Sequence, residues 1–142
     1  MHWCWSDENS NIEARNSKQI IMTKIQNSKQ YDLEDRTLRF AKDVRSFVKK
    51  LRKTIGNIED GKQLIKASGS VGANYIEANE SLSKKDFIMR IKISRKEDKE
   101  SRYWLRLVDT SDDQEMEADR NALIKEATEL MNIFGAILQK SQ

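Results

Sequence analysis

The chain has 142 residues and a mass of 16.6 kDa, enough for one domain or for one domain with a tail. Charged residues make up 35% and apolar residues 37%, and there is no proline and only five glycines. Sandwiches, barrels and doubly wound sheets need turn residues far more often, so the composition excludes them and points to long helices joined by short loops.

A net charge of +3 is too small by itself to imply a nucleic-acid partner. One cysteine (Cys4) and one histidine (His2) leave no disulfide framework, no cysteine-rich zinc site and no histidine base in the body of the chain. The first residues lack the basic-then-apolar order of a signal peptide, and the longest apolar run, Ile133 to Leu138, is far short of a membrane span. These features describe a cytoplasmic protein without a membrane partner.

Residues 1–30 are rich in Asn, Ser and Gln and read as a flexible N-terminal tail, with a partial helix around Ile12 to Ile25. Met22 is a second candidate start. Trp3 and Trp5 are unusual in a tail; they read as incidental, with a docking role as the alternative. The domain proper is expected over residues 31–142. Leu33, Thr37, Phe40, Val44, Phe47 and Leu51 step alternately by four and three, which predicts a first helix capped by Asp32 and stopped at Gly56. A second helix is expected from about Ile58 to Glu80, with Asn57 as N-cap and Leu64, Ser68, Val71, Tyr75 and Ala78 as its buried stripe. A third runs from about Lys84 to Val108 behind the capping sequence Ser83-Lys84-Lys85-Asp86, with Phe87, Ile91, Tyr103, Trp104, Leu107 and Val108 as its apolar ends. The fourth runs from about Gln114 to Leu138 on Met116, Arg120, Leu123, Ala127, Leu130, Phe134 and Ile137. Short connections force consecutive helices to run antiparallel, so the fold class is all-α, an up-down-up-down four-helix bundle.

Gly69 and Gly72 inside the second helix together cost roughly 2 kcal/mol against alanine. Close packing of another backbone is the expected compensation, and Gly135 in the fourth helix suggests the same. A phosphate-cradling loop is the weaker alternative, because no Lys-Ser/Thr follows the glycines. The third helix contains nine consecutive residues without an apolar side chain, Ser94 to Arg102. A helix holding its place through such a stretch must carry polar groups inward, so a structural polar layer of Asn74, Glu77, Lys96, Glu97 and Glu100 is predicted. Helical di-iron sites need Glu-x-x-His pairs, and no histidine is at hand. No catalytic residue, metal, cofactor or small-molecule substrate is predicted, and the protein reads as non-enzymatic.

Charge is unevenly spread. Residues 31–56 carry eight basic and four acidic residues, residues 84–106 nine and four, and residues 109–142 three and eight. Helices one and three can thus pool positive charge on one side or end, where Arg45, Lys49, Lys50, Arg52 and Lys53, helped by Arg90, Arg95 and Arg106, would contact a phosphate backbone without base specificity. The acidic fourth helix could pair with the basic patch of a second copy.

The run Leu64-Ile65-Lys66-Ala67-Ser68-Gly69-Ser70-Val71-Gly72-Ala73-Asn74-Tyr75-Ile76-Glu77-Ala78-Asn79-Glu80-Ser81, followed by Ser83-Lys84-Lys85-Asp86-Phe87, Lys96-Glu97 and Glu100-Ser101-Arg102-Tyr103-Trp104-Leu105, resembles the signature of the 23S rRNA intervening-sequence proteins, a family of four-helix bundles. The likeness covers roughly residues 31–140. It implies a ring-shaped homopentamer, of a family whose members are encoded in insertions within bacterial 23S rRNA genes or stand alone. A related accessory protein of diversity-generating retroelements binds nucleic acid and a reverse transcriptase. Asn74 and Glu77, and Lys96, Glu97 and Glu100, fall on the family's polar positions, whereas Ser94 and Asp98 stand where relatives often carry alanine. The resemblance implies a homo-oligomer that binds RNA or structured DNA; a protein-binding scaffold without nucleic acid is the alternative.

Overall fold

A computed structural model of the chain describes the backbone of residues 17–142 and the side chains from Leu33 onward. Trp3, Trp5 and the first half of the expected tail lie outside the described residues. Four helices follow: α1 (Ser17–Lys50), α2 (Ile55–Asn79), α3 (Lys84–Leu107) and α4 (Gln114–Ser141), with no strand among the described residues. Helix α1 thus starts well before Asp32, which lies inside it rather than capping it. Residues 17–32 contain neither proline nor glycine, so nothing in them stops a helix.

Helix α2 starts three residues before the expected position. Thr54 is its N-cap, its hydroxyl accepting from the Asn57 amide at 3.1 Å. Asn57 is buried instead of capping. Its Nδ2 donates to the Arg52 carbonyl (3.0 Å) and the Asp109 carbonyl (2.8 Å), and its Oδ1 accepts from the Asp109 amide (2.9 Å). One side chain thereby ties the α1–α2 turn to the α3–α4 turn. Ser83 caps α3 through the Asp86 amide, and Asp113 caps α4 through the Met116 amide.

Helix α2 packs most extensively on α3, α3 on α4, and α1 on α2; the α1–α4 contact is the smallest. Helices α1 and α3 therefore sit across the diagonal. All six expected stripe residues of α1 and all five of α2 are buried. Tyr75 and Phe134 meet across the core with ring centroids 6.1 Å apart. At Gly72 α1 and α2 approach tightly: a Cβ there would stand 2.8 Å from Thr37 Oγ1. Gly135 has no such neighbour. Its added Cβ would lie 3.9 Å from the Arg95 guanidinium carbon, an ordinary contact, so the expected close approach at that glycine is absent.

The thin α1–α4 contact is reinforced by charge. Arg36 donates to both oxygens of Glu126 (2.8 and 2.7 Å) and to Glu129 (3.2 Å), and these bonds hold its pKa above the usual arginine value. Arg36→Gln should cost about 1–2 kcal/mol, because a bidentate, half-buried pair is worth more than an exposed one. Urea denaturation at low and high salt checks this; a loss that vanishes at low salt would contradict it.

Candidate nucleic-acid interface

Of the eight cations expected to meet phosphate, seven are exposed: Arg45, Lys49 and Lys50 on α1, Arg52 and Lys53 in the turn after it, and Arg95 and Arg106 on α3. Asp119 of α4 holds Lys50 at 2.8 Å, and that hydrogen bond raises its pKa. Arg90 is half-buried and donates to Asn74 Oδ1 at 3.0 Å. The mid-helix cations of α1 and α3 occupy opposite corners of the bundle, because α1 and α3 are diagonal. Arg52, Lys53 and Arg106 fall toward one end, where Asn57 bonds both the Arg52 and the Asp109 carbonyls.

The acidic fourth helix is largely spoken for. Glu126 and Glu129 bind Arg36, Asp119 binds Lys50, and Glu117 accepts from Arg120 and from Thr110, bonds that lower its pKa. This leaves Arg45, Lys49, Arg52 and Lys53 without a carboxylate partner among the described residues. Arg45 bends back along its helix to the Ala41 carbonyl and lies over Gly69, whose missing side chain makes room for it. The outer face of α3 adds further cations: Lys85, Lys92 and Lys96, the last of them expected in the polar layer, line a shallow groove with Ile88, Met89 and Ile93.

The polar layer exists, but with other residues. Glu77, Lys96 and Glu100 are exposed, Glu97 and Asn74 are half-buried, and the five do not form an inward network. The inward row of α3 is Phe87, Ile91, Ser94, Asp98, Ser101, Leu105 and Val108. It keeps the four-three spacing throughout, so the signal was present in the sequence; it was masked because its central members are polar. Tyr103 and Leu107, expected to point inward, lie off this row and are exposed. Ser94 donates to the Val71 carbonyl of α2 at 2.9 Å, and Ser101 to the Glu97 carbonyl of its own helix at 2.8 Å. Asp98 is fully buried, and neither of its oxygens has a hydrogen-bond partner. Burial pushes its pKa up to about 8, opposed by the Arg102 charge and reinforced by that of Glu126. Among the described residues no group of His, Cys, Asp and Glu could hold a metal, and no helix is long and apolar enough to cross a membrane.

The profile of the 23S rRNA-intervening sequence proteins matches residues 18–136, most of the chain. The chain belongs to that family. A solved relative from Bacteroides thetaiotaomicron, described as a protein of unknown function from the S23 ribosomal protein family, is 27% identical to it. The match spans 78% of this intervening-sequence protein and 98% of the relative, with a TM-score of 0.68. No curated protein matches the chain. The family assignment and the helix order agree, so the bundle of this intervening-sequence protein is a shared framework.

Proposed function

We propose that this intervening-sequence protein is a non-enzymatic, homo-oligomeric nucleic-acid-binding protein of the cytoplasm, with RNA as its principal ligand. The observation that carries the reading is the row Arg45, Lys49, Arg52 and Lys53: four exposed cations on the last turns of α1 and in the turn that follows it, with most acids of the adjacent α4 engaged elsewhere. Arg95 and Arg106 supply a second edge on α3. Each edge is modest, and several copies in one particle would act together on one phosphate backbone. Such contacts read charge and shape, not base identity.

Filter binding of a single-stranded RNA oligonucleotide across a salt series tests this. Affinity should fall steeply with salt. In the triple variant Lys49→Glu, Arg52→Glu, Lys53→Glu, the slope of log K against log salt should drop by about 2, since each phosphate contact on a single strand contributes about 0.7. A flat salt profile, or absence of binding at low salt, removes RNA from the reading and leaves the scaffold alternative, in which the exposed apolar groove of α3 recruits protein.

A further inference from the structure

Helix α3 carries a second row at the same spacing as its buried one. It starts two residues before Phe87, steps alternately by four and three, and reads Lys85, Met89, Lys92, Lys96, Lys99, Tyr103 and Arg106. Two residues are about 200° of helical turn, so this row lies opposite the buried one, and every member of it is exposed. Five members are cations and none is an acid; Asp86, Glu97 and Glu100 fall to one side of the row. None of the five cations makes an ion pair among the described residues. From Lys85 to Arg106 the row is about 32 Å long, at ~1.5 Å per residue.

Solvated lysines alone would make an ordinary outer face. The two uncharged members set this one apart. Met89 is 47% exposed and Tyr103 is 58% exposed. Tyr103 stands in line between Lys99 and Arg106, and its ring meets Trp104 edge-on, with centroids 5.1 Å apart and planes at 80°. A contact of that geometry covers at most one ring face, so the half-buried Trp104 steadies the tyrosine while leaving a face of it open.

We propose that the outer row of α3 is a track for single-stranded nucleic acid, with Lys85, Lys92, Lys96, Lys99 and Arg106 against the phosphates and a base stacked on Tyr103. This rests on the RNA-binding reading and narrows its ligand to an unpaired strand. A cationic line interrupted by an aromatic ring suits that ligand, because the backbone follows the charges while every base offers a face to the ring whatever its identity. Bases inside a duplex are stacked on one another and offer no face to a side chain on a convex helix. The row also leads to the other cations. Arg106 lies three residues before Asp109, whose carbonyl shares the Asn57 amide with that of Arg52. A strand leaving α3 at Arg106 therefore arrives at Arg52 and Lys53.

Filter binding by the full chain tests this, with a single-stranded RNA oligonucleotide that cannot pair with itself and an RNA duplex of the same length, each across a salt series. Tyr103→Ala should weaken the single strand by about 5- to 150-fold at every salt concentration. It should leave the salt slope and the duplex affinity unchanged, because a stacked base releases no counterion. Tyr103→Trp should restore the single strand. Lys92→Gln/Lys96→Gln/Lys99→Gln should lower the single-strand slope by about 2, at about 0.7 per contact. The changed residues are exposed, so helical circular dichroism should match wild type in each variant. Wild-type affinity in Tyr103→Ala, or an equal loss on strand and duplex, overturns the stacking site. A wild-type slope in the triple lysine variant overturns the track; if the α1 variant still loses slope, the RNA reading stands without it. Absence of RNA binding at low salt overturns both and leaves the row to an acidic protein segment.

Discussion

Asp98→Asn should stabilise the protein at pH 8.5 and fail to do so at pH 5. An unfolded aspartate ionises near 3.9, whereas Asp98 in the fold holds its proton up to about 8. Between those values the native state binds more protons than the unfolded chain, so stability falls as pH rises and levels off above the folded pKa. The full span is worth about 6 kcal/mol at most, from ~1.36 kcal/mol per unit, a large part of the 5–15 kcal/mol typical of a domain. Arg102 is the one cation acting on Asp98, and it is turned toward Thr128 at 3.3 Å; Glu126, already held by Arg36, adds repulsion. The amide cannot ionise, although its N–H groups lose water and cost about 1–3 kcal/mol where they find no acceptor. The variant should therefore be level with or below wild type at acid pH and cross above it as the pH climbs. Urea midpoints at the two pH values decide; parallel profiles for the two proteins would show that folding does not shift the Asp98 pKa.

Gly72→Ala should destabilise, even though alanine is the better helix former. The helix gains about 1 kcal/mol from the exchange. Against that, the new Cβ would stand 2.8 Å from Thr37 Oγ1 and 3.1 Å from Thr37 Cβ. Thr37 cannot swing aside freely, because it is buried and its hydroxyl donates within its own helix to the Leu33 and Glu34 carbonyls at 2.9 Å. Overpacking of this kind costs about 1–3 kcal/mol, and the short distance to a pinned Thr37 puts Gly72 toward the upper end, for a net loss of up to about 2 kcal/mol. In a Thr37→Ala background the loss should shrink. Gly56→Ala is the control, since nothing lies within 4 Å of its added Cβ, and it should be neutral or stabilising. Thermal melts of the four variants test the balance; equal effects at Gly56 and Gly72 would mean that α1 and α2 are not in tight contact there.

The two predictions mark where local pattern was enough and where it was not. The stripes of α1 and α2 were legible because apolar residues at helical spacing must share one face. The cap of α3 was legible because Ser83 and Asp86 sit at the spacing the turn requires. Asn57 looked like a cap because its type suits one; its real role depends on the carbonyl and amide of Asp109, fifty-two residues away. Glu97 and Glu100 looked internal because the centre of α3 is polar, but rotation of the helix is set by Phe87, Ile91, Leu105 and Val108, and that rotation buries Asp98 instead.

The sequence by itself determined four helices, their order and the seam along which they meet, because periodicity, the absence of proline and short connections are all local properties. Only the tertiary structure decided which charges are free. Lys50 finds Asp119 sixty-nine residues away and Arg36 finds Glu126 ninety residues away, so neither neutralisation can be read from neighbouring positions. A charge count cannot distinguish a cation paired across the bundle from one facing water, because that depends on which helices become neighbours once the apolar seam has closed.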